Sequence, residues 1–342
     1  MKPKHRIALI GLGMAVTPHA RSLVDLADRV EVASAFSRSK TRREAFAERF
    51  AFPLADDLER VAADPSISAV MVLTPPDTHL DLVRRFAAAG KHILLEKPLE
   101  RSTERALELV EATERAGVRL GVVFQHRFRL ASEHLRELIE DRALGELAAV
   151  NLQCPWWRPQ SYYDEPGRGT RERDGGGVLI TQAIHTLDLL LSLTGPIAEV
   201  AAVTGTSRLH RMECEDFVGA GLRFAGGAPG ALMATTAAYP GVAERIELIG
   251  TRASALLAAG MVTVHYQNGR EERVGEEQAT GGGADPMAFP HDAHRDVLAD
   301  FLDAIEHDRP PRASGREALK VHRLIDALLR SSTERRVIAV ES

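Results

Sequence analysis

The sequence predicts an α/β protein of two domains: a doubly wound parallel sheet over residues 1–124, then an α/β domain with a largely antiparallel sheet over residues 125–342. Strand-like and helix-like patterns alternate through the first third, the rhythm of a parallel sheet. A Gly-x-Gly turn closes the first strand pattern. After residue 124 several strand patterns follow one another through short turns, which implies antiparallel pairing. The length, 342 residues, also exceeds what one hydrophobic core normally spans.

In the first domain, residues 6–10 form a short apolar run stopped by Gly11 and Gly13, and a helix pattern at 18–27 carries Pro18 in its first turn. Residues 30–36 read as a strand, 41–50 and 57–63 as helices, and 69–74 as a buried strand. A helix at 76–89 stops at Gly90, and a strand follows at 92–96. The helix at 102–116 is capped by Ser102 or Thr103 and ended by Gly117, with a last strand at 119–124. In the second domain a helix at 131–142 leads to a strand at 147–154, a polar loop at 157–174 and a helix at 178–194. Strands are expected at 199–206, 217–224, 230–238, 244–250, 254–257 and 262–266. A Gly-rich loop at 275–290, helices at 291–306 and 315–330 and a strand at 337–340 complete the chain.

Composition is that of an ordinary globular protein, 44% apolar and 27% charged. A net charge of −5 argues against nucleic acid or a membrane surface as partner. No apolar run is long enough for a bilayer, and the first residues run straight into a strand with no signal peptide pattern. Cys154 and Cys214 need no disulfide framework, which fits a reducing cytoplasm. His79, His92 and His126 lack the thiolate or acid partners of a zinc site, so no metal is expected.

The turn after the first strand is half of a dinucleotide fingerprint. Gly11 permits a tight turn, and Gly13, with Met14 and Ala15, brings backbone N–H groups towards a pyrophosphate at a helix N-terminus. Val16 stands where a third glycine is usual. No acid occurs between residues 32 and 43, where NAD binders place a carboxylate for the ribose. Ser37 and Arg38, with Arg42 and Arg43 beyond, instead suit a 2′-phosphate. NADP(H) is therefore the preferred cofactor and NAD(H) the other possibility.

Two further stretches are more specific. One is Thr74-Pro75-Pro76-Asp77-Thr78-His79, followed by Gly90-Lys91-His92 and Glu96-Lys97-Pro98. The other runs from Gly175-Gly176-Gly177 through Thr181 to His185 and Asp188. Lys97 follows a buried strand, and the carboxyl ends of such strands are where open α/β sheets bind ligands. An ammonium there favours a substrate alkoxide. Thr181, His185 and Asp188 are spaced by four and three, so on a helix they share one face. His185 suits proton transfer, and Asp188 suits orienting its imidazole or capping a turn.

Together these motifs resemble the glucose-fructose oxidoreductase, inositol dehydrogenase and MocA family, over essentially the whole chain. The resemblance implies a Rossmann domain, a second domain with an open sheet, an active site between them, and a cis Lys97–Pro98 peptide. It implies a cofactor held by Gly11, Gly13, Met14, Ala15, Ser37, Arg38, Arg42, Thr74, Pro75, His79, Glu96, Lys97 and Arg127. Lys97 and His185 then act on a sugar, sugar-derivative or cyclitol carbon, with Thr181 and Asp188 beside them. Relatives of the inositol dehydrogenase type carry Asp where this chain has Thr181. Arg127 suits either a cofactor or substrate contact or an interdomain salt bridge. Trp157 and Arg168, in a loop similar to the family's substrate-closing segment, together with Tyr239 and His291, are the substrate candidates. Two other readings stay open: a nucleotide-retaining lyase or glycosidase using transient oxidation, and a non-enzymatic nucleotide- or sugar-binding protein. A homodimer or homotetramer is expected, with Leu222, Phe224, Leu232, Ile246 and Leu248 supplying an uncovered sheet face.

Overall fold

A computed structural model describes residues 4–277 and 290–341. The chain divides into two compact units, Met1–Gln125 with His291–Leu319, and His126–Pro290 with Lys320–Ser342.

In chain order the first unit holds β1 (His5–Ile10), α1 (Val16–Asp25), β2 (Val30–Phe36), α2 (Lys40–Ala47), β3 (Leu54–Ala55) and α3 (Leu58–Ala63). It continues with β4 (Ala69–Val72), α4 (His79–Ala88), β5 (His92–Leu95), α5 (Thr103–Arg115) and β6 (Leu120–Val122). The strands form one parallel sheet of order β3-β2-β1-β4-β5-β6. This is the doubly wound order, and its reversal lies between β1 and β4. Strands buried on both faces read as continuous apolar runs, and every residue of Ala69–Val72 is fully buried. The two-residue β3 escapes a periodicity reading because it is too short to alternate. Register aligns Ile10 with Val72 and Val72 with Leu95, so the chain leaves β1, β4 and β5 at one level.

The second unit holds α6 (Leu130–Glu140), β7 (Leu147–Pro155), α7 (Gln160–Tyr163) and α8 (Ile184–Thr194). Then come β8 (Ile197–Gly205), β9 (Phe217–Phe224), β10 (Pro229–Thr235), β11 (Arg245–Gly250), β12 (Ala253–Ala258), β13 (Met261–Tyr266) and β14 (Glu271–Gly275). Its nine strands run β14-β13-β12-β11-β7-β10-β9-β8-β15, where β15 is Ile338–Ala339. All neighbours are antiparallel except β7 and β10, which are parallel at the centre. The charged strand β14 falls in the stretch 267–274, for which no element was expected, and ends at the first residue of the expected Gly-rich loop at 275–290, whose residues 278–289 lie outside the described residues.

One sheet-face expectation is corrected. Leu222, Phe224, Leu232, Ile246 and Leu248 are already buried within this chain. Ile139 of α6, Leu193 of α8 and Leu248 of β11 line a common pocket, so these helices lie on the face to which Leu248 points. The opposite face carries the in-register row Ala201, Gly221, Ala231, Asn151, Glu247 and Leu256. Alternation alone identifies two faces; it does not say which one the helices cover.

Two helices follow the glycine-rich segment, α9 (Asp292–Glu306) and α10 (Gly315–Glu334). Although late in sequence, α9 packs on α1 and β5 of the first unit. Gly121 of β6 leaves room for Phe301 of α9, since a Cβ at Gly121 would come within 3.0 Å of its ring.

His322 of α10 is 2% exposed, and its Nε2 has no hydrogen-bond partner among the described residues. Burial pushes its imidazole down from 6.5 to about 4. The folded ring is thus neutral where an unfolded one binds a proton. Stability is fully present above about pH 6.5 and falls as pH drops towards about 4. The loss expected from this residue at pH 5 is about 2 kcal/mol. Urea midpoints of the native protein and His322→Leu, compared between pH 7 and pH 5, check this. The variant should show the smaller acid loss, and equal losses contradict it.

Candidate active site

The first unit supplies a nucleotide cradle at the aligned ends of β1, β4 and β5. Gly11 has φ +106°, and a Cβ there would meet the Leu73 carbonyl oxygen at 2.8 Å. Both the backbone conformation and the close approach of the β4 loop therefore require glycine. Among the described residues a Cβ at Gly13 would meet nothing within 4 Å, which leaves space over the turn. Ala15 caps α1 with no side-chain hydrogen bond, and the first turn of that helix carries no acid. The helix start thus keeps backbone donors and positive dipole for an anion, and the residues fit a pyrophosphate. Val16, in place of the third glycine, is buried against the unit's own core. Met14 is exposed beside the turn, 53% by area.

At the end of β2, Ser37 is buried and its hydroxyl accepts the Ser39 N–H at 3.3 Å. Arg43 turns back to donate to the Ser37 carbonyl at 2.5 Å, so it secures the strand end. Arg38 and Arg42 present exposed side chains there. Thr74 is half-buried, its hydroxyl accepting from Thr78 at 2.7 Å, and Pro75 is exposed. His79 is wholly buried between backbone carbonyls, Thr74 at 2.8 Å from Nε2 and Pro98 at 3.0 Å from Nδ1. Its ring ties the loop after β4 to the loop after β5, and burial holds its imidazole below the ordinary value. It carries the residues around it and presents no free edge of its own.

Lys97 is half-buried two residues after β5, and the Lys97–Pro98 peptide is cis. Glu96 accepts the Lys97 N–H at 3.1 Å through one oxygen and His19 Nε2–H at 2.8 Å through the other. Burial works to raise the Glu96 carboxyl, but His19, with Lys97 and His294 near it, carries it below its usual value. His19, Glu96 and His294 are a grouping that sequence reasoning missed; their ligand-type atoms lie within 4.8 Å of one another. The 2.8 Å His19–Glu96 separation is a hydrogen bond. It is shorter than the roughly 3.3 Å that two ligands of one tetrahedral zinc keep between them. The trio joins α1, β5 and α9, and His291 makes a second link at 2.8 Å to Asp25.

His185 belongs to the second unit, in the segment that follows Gly177. A Cβ at Gly177 would fall 1.8 Å from the Glu215 carbonyl oxygen, so this glycine admits the neighbouring chain. Val178 N–H donates to that carbonyl at 2.8 Å, and Leu179 N–H to the Glu215 carboxylate at 3.2 Å. Burial raises the Glu215 carboxyl despite the Leu179 donor. Leu179–Ala183 then form a π-helix before α8. Such a stretch puts one extra residue in the turn, which alters the single α-helical face expected of residues 181, 185 and 188. Thr181 turns its hydroxyl back to the Gly177 carbonyl at 2.6 Å. His185 is buried and lies stacked on His126, ring centroids 5.0 Å apart and planes 26° apart. Asp188 receives Arg127 with both oxygens, Nε at 2.7 Å and Nη2 at 2.6 Å. The expectation of an interdomain salt bridge is corrected here, because Arg127 pairs with Asp188 inside this unit.

Trp157 is half-buried, edge-on to the exposed Tyr239 at 5.4 Å and tilted on His210 at 6.0 Å. His210 is fixed in turn by Asp216 at 2.7 Å and the Arg158 carbonyl at 2.9 Å. Arg168 lies over the Tyr162 ring at 4.6 Å and pairs with Glu165. The loop thus has a rigid base of buried hydrogen bonds and an exposed aromatic rim.

Residues 5–124 match the model of an oxidoreductase family with an NAD-binding Rossmann fold, and residues 132–256 match the GFO/IDH/MocA C-terminal domain. The chain is 29% identical to inositol 2-dehydrogenase of Rhizobium meliloti (strain 1021), over 98% of this chain and 99% of that protein. It is 30% identical to scyllo-inositol 2-dehydrogenase (NAD(+)) of Bacillus subtilis (strain 168), over 74% of each. Among solved structures, the WlbA dehydrogenase from Bordetella pertussis, in complex with NADH and UDP-GlcNAcA, superposes with a TM-score of 0.85 at 28% identity. That match covers 99% of this chain and 100% of the other.

Proposed function

Since the chain belongs to the GFO/IDH/MocA oxidoreductases, we propose that it is a dehydrogenase or reductase of a sugar, sugar derivative or cyclitol, working at a ring CH–OH or its carbonyl. The observation that carries this reading is Lys97, presented half-buried from the end of β5 beside a glycine cradle fitted to a dinucleotide. Gly11, Gly13, Met14 and Ala15 hold the pyrophosphate, and Thr74, Pro75, Glu96 and Lys97 line the path of the cofactor. A bound nicotinamide supplies the hydride donor or acceptor. Lys97 binds the reacting oxygen and stabilises its negative charge. His185 takes the hydroxyl proton on oxidation and returns it on reduction. Trp157, Tyr239 and Arg168 contact the substrate ring and hydroxyls. Turnover on a panel of sugars, inositols and nucleotide sugars, with NADP(H) and NAD(H) in parallel, tests the reading. No redox change of either cofactor on any of them overturns it.

NADP(H) is the preferred cofactor in this reading, because Ser37 and Arg38 stand where a ribose-binding acid is absent. Arg38→Ala is expected to raise KM for NADP(H) by about tenfold or more and to leave KM for NAD(H) within about twofold. Equal effects on both would remove the preference. The sheet face that carries Ala201, Gly221 and Ala231 is exposed at those small residues and suits a second copy of the chain, and solution mass tests a dimer or tetramer. Cys154 and Cys214 are buried free thiols, suited to a reducing cytoplasm. Among the described residues no helix is long and apolar enough to cross a membrane.

A further inference from the structure

His126 lies outside every role assigned above, yet it is 2% exposed and stacked on His185. Its Nε2 is 2.7 Å from Arg129 Nη2. A guanidinium only donates, so Nε2 must accept, and the ring's proton sits on Nδ1. Arg129 is the N-cap residue of α6, and its other terminal nitrogen donates to Glu244 at 2.7 Å. The same Glu244 oxygen lies 3.8 Å from His126 Nδ1. Glu244, Arg129 and His126 therefore form a charge-balanced set around one defined tautomer. Arg129 contributes a donor and a positive charge at the nitrogen that would otherwise take up a proton.

We propose that His126 is a positioning residue for the reaction: a ring kept neutral by the Arg129 guanidinium at its Nε2, against which the His185 imidazole is held flat. This rests on the reading of His185 as the proton-handling group. A neutral aromatic face tolerates the imidazolium that forms when His185 takes a proton, and attracts it by cation–π interaction. A second protonated imidazole in the same place would repel it. Stacking also restricts His185 to the ring plane seen here, and small errors in that plane are costly in rate.

The test uses full-length protein with 15N-labelled histidine, assigned with single variants. The His126 signals are expected to be those of a neutral ring protonated at Nδ1. His126→Ala is expected to broaden or split the His185 signals, and His126→Phe, which keeps a flat neutral ring, to leave them single. On a turned-over member of the sugar and inositol panel, His126→Ala should lower kcat about tenfold or more with KM for the dinucleotide within about twofold. His126→Phe should restore kcat to within about threefold of the native protein. A His126 protonated at Nε2 or at both nitrogens, or His126→Ala and His126→Phe with equal kcat, overturns the proposal. If His185→Ala keeps full turnover, it is the reading of His185 that fails. If His185→Ala is inactive while His126→Ala is unchanged, that reading stands and this inference falls.

Discussion

Lys97→Ala and His185→Ala are each expected to lower kcat/KM by about 10²–10⁴, the range that positioned acid–base and charge-stabilising groups usually supply. Both should fold. Lys97 is a half-buried side chain at a strand end, and the hydrogen bond that anchors its segment comes from its backbone N–H to Glu96, which alanine retains. His185 sits in a helix that alanine favours. The loss should fall on kcat if the groups act in the transition state, and dinucleotide affinity should change little. The double variant adds a sharper test. If both groups act on one step, it should be little worse than the poorer single variant, because residues that work as a unit are non-additive. Multiplied losses would separate their roles, and full turnover by either single variant would remove that residue from the mechanism. Far-UV circular dichroism and dinucleotide titration on the same samples exclude unfolding as the cause.

The parts of this arrangement that were readable in advance are those written in local pattern. Apolar runs ending at Gly11, Thr74 and Glu96 mark strands whose carboxyl ends share a level, and the sheet order follows from their alternation with helices. The second half was readable to the level of strands, with exceptions that have physical causes. A π-turn has no distinct composition, so Leu179–Ala183 looked like ordinary helix. Partners distant in sequence leave no mark on each other: Arg129 meets Glu244 across 115 positions, and His19 meets Glu96 across 77. The inward faces of β9, β10 and β11 were misassigned because alternation is symmetric until a covering helix is placed. The placement of α9 on the first unit is likewise a tertiary choice, carried by Phe301 beside Gly121 and by His294 near His19.

Asp188→Ala is expected to be the most damaging single change to stability, on the order of 3–5 kcal/mol. Asp188 is 1% exposed and Arg127 is 9% exposed, and the two share a bidentate pair. Taking both charges out of water is unfavourable, and their attraction with two parallel hydrogen bonds offsets that. Removing the carboxylate leaves the guanidinium charge in the same low-dielectric surroundings without that compensation, which is why breaking such a pair costs more than replacing it whole. The melting temperature should fall by roughly 6–20 °C. Asp188→Asn keeps the shape and one acceptor oxygen but loses the charge, so it should lie between. An Arg127→Met, Asp188→Leu pair, which removes both charges and keeps apolar volume, should recover much of the loss. Because Asp188 is one turn beyond His185 in α8, turnover measured well below each variant's melting temperature separates two roles. A purely structural Asp188 leaves the double variant active. A group that also orients the imidazole leaves it folded and slow, and a double variant as unstable as Asp188→Ala contradicts the account of the ion pair itself.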